Sequence, residues 1–246
     1  MDANPPARLT STEFVAGLTG TSNAVEEYVS VVDALYAELV LRVGMLYGYD
    51  GKGRSPSVID PGDARVLYSL CRILRPSTVI ETGVSDGVSS AVILSALESN
   101  DEGKLISIDF PLVGIPRLYG KQPGWVVPDR LRDRWTLFKG QSRKLLPSVL
   151  LRYGPPDIFF HDSEHSYDCM HREFVTTMRS LGPGGTVLCD DGWVSSAMRD
   201  AANEVFNGGR SVLFTVEGMA GVRMPRPMDR APSATALAPN WYPSSN

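Results

Sequence analysis

Up to about residue 77 the apolar positions recur at helical spacing, and from Thr78 onward they gather into short runs separated by helical stretches. Val25, Val29, Val32, Leu35, Leu39 and Val43 lie three or four apart, which predicts one long amphipathic helix from Asn23 to about Tyr47, capped by Ser22 or Asn23. Residues 51–62, rich in Gly, Pro and Ser, read as a loop into a second helix from Pro61 to Leu74, stopped ahead of Pro76. Residues 1–22 read as a loose lead-in. Beyond Thr78 the alternation is that of a parallel sheet built from βαβ units. Strands are predicted at 78–82, 104–109, 135–139, 157–162 and 185–190, helices near 87–99, 141–152, 166–181 and 193–206, and a closing hairpin from 211–216 and 220–224. The fold class is therefore α/β: a doubly wound, mostly parallel seven-stranded sheet with an extra helical N-terminus. Residues 1–60 form a lead-in and helix packed on the core, 61–225 the main domain, and 226–246 a tail too poor in large apolar groups to pack.

One stretch breaks the alternation. Phe110 to Arg134 carries prolines, glycines, Tyr119 and Trp125 between two strands, and long irregular connections of this kind often cover a binding site. The rest of the composition mostly excludes. A net charge of −4 with scattered Lys and Arg argues against a nucleic-acid partner. Cys71, Cys169 and Cys189 are odd in number and far apart, which suggests neither a disulfide framework nor a Cys-x-x-Cys metal site and fits a reducing, cytoplasmic setting. No signal-like leader or membrane-length apolar run is expected.

The chemistry is concentrated in two acidic clusters. Asp162 in Phe159-Phe160-His161-Asp162-Ser163-Glu164-His165 and the pair Asp190-Asp191 each follow an apolar run, so both are delivered at the C-terminal ends of neighbouring strands, where open α/β sheets bind ligands. Three converging carboxylates repel one another unless neutralised, which points to a hard divalent cation such as Mg²⁺ held by Asp162, Asp190 and Asp191. On its own the Asp190-Asp191 pair would serve equally to cap a helix starting near Trp193; a partner carboxylate on the preceding strand favours the metal. His165 lies three residues beyond Asp162, where a neutral imidazole beside the ion can take a substrate proton. Strand alternation turns His161 away from Asp162, and His171 falls within a helix, so both are read as packing or surface residues, and a His-Asp-His iron site is disfavoured. Trp125, Tyr167 and Trp193 are candidates for a substrate pocket or for packing alone.

Upstream, Glu81-Thr82-Gly83-Val84-Ser85-Asp86-Gly87-Val88-Ser89 runs from a strand through a glycine turn into a helix. The spacing is not Gly-x-Gly-x-x-Gly and there is no Walker lysine, which disfavours pyrophosphate and triphosphate cradles. A carboxylate at Glu81 suits a ligand ammonium, and Asp109 at the next strand end suits the two hydroxyls of a ribose. Ammonium plus ribose describes S-adenosylmethionine better than a dinucleotide.

On these residues the chain resembles the class I S-adenosylmethionine-dependent methyltransferases, with Glu81-Thr82-Gly83 like their first motif and Asp109 like their second. The resemblance implies that Glu81 binds the methionine amino group, that the loop of Gly83, Ser85, Gly87 and Ser89 passes close to the cofactor, that Asp109 binds its ribose and that Gly140-Gln141-Ser142 approaches the adenine. Asp162 to Tyr167, Gly182-Pro183-Gly184-Gly185 and Asp190-Asp191 are similar to the metal-dependent O-methyltransferases acting on sugars of natural products, macrolides among them. That branch implies Mg²⁺ on Asp162, Asp190 and Asp191, and His165 as general base, with Asp162 the base in members lacking the histidine. The resemblance spans about residues 60–225. It predicts methyl transfer to a hydroxyl of a sugar-containing small molecule. The alternatives are a phenol or catechol acceptor, an NAD-dependent oxidoreductase, and a non-catalytic cofactor-binding scaffold. The long N-terminal helix is compatible with a homo-oligomer.

Overall fold

A computed structural model describes residues 8–22, 25–47, 58–110, 120–207 and 212–225. Eight strands form one sheet: β1 (Arg8–Leu9), β2 (Thr78–Thr82), β3 (Lys104–Asp109), β4 (Trp135–Lys139), β5 (Ile158–His161), β6 (Thr186–Cys189), β7 (Leu213–Thr215) and β8 (Ala220–Arg223). Their order across the sheet is β1-β7-β8-β6-β5-β2-β3-β4. Only β8 runs against its neighbours, pairing antiparallel with β6 and with β7. The helices are α1 (Ser11–Thr19), α2 (Val29–Tyr47), α3 (Pro61–Leu74), α4 (Val88–Asn100), α5 (Ser142–Tyr153), α6 (Tyr167–Met178) and α7 (Ala197–Phe206).

β2, β5 and β6 read Thr-Val-Ile-Glu-Thr, Ile-Phe-Phe-His and Thr-Val-Leu-Cys, and every residue in them is buried. Such unbroken runs are what a parallel strand covered on both faces requires. One apolar cluster joins α1 to α4 with Phe160 and Leu188, and the other joins α5 to α7 with Ile80, Phe159 and Val187, so residues alternating along a strand feed opposite layers. α4 is buried nearly all round, as a helix in the middle of a layer must be.

The expected mostly parallel sheet and closing hairpin are present, with strand limits within a residue or two. Three expectations at the N-terminus need correction. The sheet has eight strands because β1 pairs parallel with β7 at the edge. Residues 8–19 are no loose lead-in: Thr10 caps α1, its hydroxyl accepting from the Glu13 amide while Glu13 accepts from the Thr10 amide at 2.8 Å, and Phe14 and Val15 are fully buried. The long helix begins at Val29 after a turn at 25–28; Ser22 is exposed, and Asn23 lies outside the described residues. Within the connection 110–134, residues 111–119 are likewise outside, and the rest is packed: Val126, Val127 and Leu131 are buried, and Asp129–Arg134 form a 3₁₀ helix against α4.

Candidate active site

The strand order reverses between β2 and β5. β2 leads on to β3 and β4 on one side, and β5 leads on to β6 on the other, which leaves a crevice above their C-terminal ends. There the Asp162 amide donates to the Thr82 carbonyl (2.8 Å) and the Asp190 amide to the His161 carbonyl (2.9 Å), so each aspartate continues the ladder by one step before the chain turns away. Gly83 donates to the Ile108 carbonyl (2.9 Å) with φ 86°, and a Cβ there would stand 1.8 Å from the Asp162 carbonyl oxygen. No side chain fits between the glycine turn and the strand carrying Asp162.

Ligating atoms of Asp162, His165 and Asp190 all lie within 4.8 Å of one another. Asp191, at φ 48°, approaches from the side, its Oδ2 3.6 Å from His165 Nδ1, while His165 Nε2 is 3.7 Å from Asp162 Oδ1. Both separations are too long for hydrogen bonds, and His165 Nε2 is buried without a partner. Burial, with Asp190 nearby, pushes the Asp162 carboxyl up to about 7 despite the opposing pull of His165, and burial with Asp191 raises Asp190. His165 is raised, above all by Asp162, with burial opposing and Asp190 and Asp191 adding to the rise. Two half-buried carboxylates, an orphaned imidazole nitrogen and excess negative charge fit a hard divalent cation.

Behind Asp190 stands a carboxyl absent from the sequence reading. Asp63, on the first turn of α3, is 1 % exposed, and its Oδ1 has no partner. Burial first, then Asp190, Asp60 and Glu217, push its acid up to about 9. As the third residue of a helix it looked like an ordinary first-turn acid.

A cavity of about 1020 Å³ opens from Asp162 and His165 across the ends of β2, β3 and β4. It is at the upper end of the size of small-molecule sites. Of the residues expected to hold a cofactor, Gly83, Ser85, Asp109 and Ser142 line it, and among the described residues of the connection 110–134 only Phe110 does. Glu81, Gly87 and Ser89 do not. Glu81 is fully buried behind the wall, with Oε1 accepting from Ser89 (2.7 Å) and Oε2 from Ser90 (2.6 Å) and Ser107 (2.7 Å). Burial raises its pKa and the three hydroxyls oppose that rise. Gly87, φ 98°, opens α4 and lies against Gly124. Asp86, just before it, accepts from the Tyr47 hydroxyl (3.0 Å) and Trp125 Nε1 (2.6 Å), so Trp125 supports the turn from outside the cavity. Tyr167 and Trp193 are exposed, at 44 % and 58 %.

The structure adds Glu173 to the wall. This carboxylate is 1 % exposed; its Oε2 accepts from Thr82 Oγ1 (2.6 Å) and sits 2.9 Å from Nδ1 of the fully buried His161. Burial works to raise its pKa, but His161, Ser142 and Thr82 outweigh it and hold the acid below its usual range. A signal was available: on α6 the inward face reads Met170, Glu173, Phe174, Thr177 and Met178, and an acid on such a face needs a partner. His171 sits 3.3 Å from Glu204 and stacks on Tyr167, away from the aspartates.

Residues 80–192 match the family described as Methyltransferase domain. A search of curated protein sequences finds no match. Among solved structures, the SAH-bound methyltransferase PaMTH1 of Podospora anserina superposes with a TM-score of 0.53 at 13 % identity, covering 91 % of this chain and 99 % of that one. The O-methyltransferase TomG of Streptomyces achromogenes, solved with SAM, gives 0.54 at 16 % identity over 88 % and 96 %. An O-methyltransferase of Bacillus cereus in complex with SAH gives 0.52 at 16 % over 85 % and 99 %. Residues 80–192 thus resemble a methyltransferase domain, and the chain has the fold of the class I S-adenosylmethionine-dependent methyltransferases.

Proposed function

We propose that the chain transfers a methyl group from S-adenosylmethionine to a hydroxyl of a sugar or glycosylated metabolite, assisted by Mg²⁺ on Asp162, Asp190 and Asp191. The observation that carries this reading is the convergence of Asp162, His165 and Asp190 within 4.8 Å of one another, with Asp162, His165 and Asp109 on the cavity wall. When bound, the cofactor supplies a methyl group already activated by its sulfonium, and the cation lowers the pKa of an alcohol oxygen.

The protein's own task is orientation and proton removal. Gly83 and Ser85 bring backbone to the cavity wall where it would meet the cofactor, Asp109 would accept from its ribose hydroxyls, and Ser142 lines the same wall. His165 would take the acceptor's proton on its ring nitrogen while the oxygen bonds to the methyl carbon and the carbon–sulfur bond breaks, releasing S-adenosylhomocysteine. It is able to do so once the carboxylates around it are neutralised, because it is their negative charge that favours the imidazolium.

His165→Ala is expected to lower kcat by about 10²–10⁴-fold while leaving the Kd for S-adenosylmethionine, measured by calorimetry, nearly unchanged. Unchanged turnover would remove His165 from the mechanism. Mg²⁺ titration against a panel of sugar, glycoside and catechol acceptors identifies the acceptor class, and preferential methylation of the catechol would overturn the sugar assignment. Binding of NAD without S-adenosylmethionine would overturn the whole reading.

A further inference from the structure

We infer that the carboxylate meeting the cofactor's ammonium is Glu173, not Glu81, an inference that rests on reading the cavity as the cofactor pocket. Three serine hydroxyls at 2.6–2.7 Å occupy both oxygens of Glu81, and its side chain is absent from the cavity wall. Reaching it would require an ammonium to pass through the β2–α4 turn and displace at least one short hydrogen bond. A carboxylate with two oxygens accepts about four bonds, so Glu81 is close to saturation within the protein.

Glu173 is the opposite case. It lines the same cavity as Gly83, and its two oxygens are unequally served. Oε2 is held by Thr82 and by His161, which fix the direction of the carboxylate. Oε1 receives Ser163 Oγ at 3.4 Å and Cys169 Sγ at 3.5 Å, both weak at that length, and Ser142, itself on the cavity wall, also acts on the carboxylate. Among the described residues no lysine or arginine pairs with Glu173. A buried anion with one poorly satisfied oxygen beside a cavity suits a compact cationic donor, and a primary ammonium with three N–H groups is one. Thr82, which holds Oε2, is followed directly by Gly83, so a charge on Glu173 sits beside the glycine turn on the same cavity.

The test compares two ligands by calorimetry: S-adenosylhomocysteine, and its deamino analogue in which hydrogen replaces the amino group. Glu173→Gln is expected to weaken S-adenosylhomocysteine by at least about tenfold and the analogue by less than about twofold, the signature of a lost charge-assisted bond to the amine. Glu81→Gln is expected to affect both ligands alike, since that residue shapes the turn. Equal weakening of both ligands by Glu173→Gln, or selective weakening by Glu81→Gln, overturns the inference. A wild-type protein that binds neither ligand overturns the cofactor reading itself. If Glu173→Gln does not fold, Glu173→Asp keeps the charge and withdraws it by one methylene, and the same selective loss is expected.

Discussion

Gly83 and Gly20 share a backbone conformation, at φ 86° and 76°, and differ in everything around them. At Gly20 nothing lies within 4 Å of where a Cβ would be; at Gly83 the Asp162 backbone fills the space. Gly20→Ala therefore carries only the strain of the left-handed region, about 1–2 kcal/mol. Gly83→Ala adds a collision with the strand carrying a proposed metal ligand. It is expected to lower Tm by clearly more than Gly20→Ala and, where it folds, to weaken Mg²⁺ and S-adenosylhomocysteine binding together. Equal Tm losses for the two variants would contradict this coupling. The residue types at the site were largely legible: Asp162 and Asp190 follow apolar runs, and His165 lies three residues beyond Asp162. Asp63 and Glu173 did not, because a helix's first-turn acid and a helical acid among apolar neighbours acquire meaning only when the fold sets Asp190 and His161 against them.

Among the elements, those with a strong period were read almost to the residue, such as β2 and α3, because burial on both faces or on one stripe leaves a clear apolar pattern. α1 was missed. Its nine residues carry three large buried groups, Phe14, Val15 and Leu18, too few for a visible stripe, and its capping box of Thr10 and Glu13 was passed over amid small polar residues. The helix is nonetheless tightly docked: a Cβ on Gly221 of β8 would lie 2.6 Å from the Phe14 ring. Phe14→Ala should cost about 3–5 kcal/mol, the usual range for a fully buried aromatic, read as a fall in the urea midpoint at unchanged slope. A loss under about 1 kcal/mol would return α1 to the status of a loose lead-in.

For the whole molecule, the acidic cluster makes stability depend on pH. Asp63 and Asp162, pushed up to about 9 and about 7, and Asp190, raised as well, bind protons more tightly folded than unfolded. Their contribution is fully present below the ordinary carboxylate range near 4 and is lost as pH rises through 7 toward 9. Metal-free protein is thus expected to show a falling Tm between pH 5 and about 9. Asp63→Asn, which removes the highest of these acids, should flatten that slope and raise Tm at pH 8; Mg²⁺ should do the same for the native chain by displacing protons. A Tm that rises with pH over this range would show the carboxylates to be compensated some other way.

The Asp86 contacts set a limit on modularity. The turn beside the cavity is held by Tyr47 and Trp125, while the Gly124 amide donates to the Ser85 carbonyl (2.9 Å), the Val126 amide to the Asp86 carbonyl (3.1 Å), and Arg42 reaches the Val126 carbonyl (3.1 Å). Two of these supports, Tyr47 and Arg42, lie outside residues 80–192, and Trp125, though inside, is far along the chain from the turn. A fragment trimmed to the family match would leave a buried carboxylate stripped of its Tyr47 hydroxyl, and a transplanted Glu81–Ser89 loop would arrive in a new host without its bracing. The loop is portable only together with α2 and the 120–128 stretch, so exchanging cofactor loops between relatives of this fold means exchanging three pieces of chain at once.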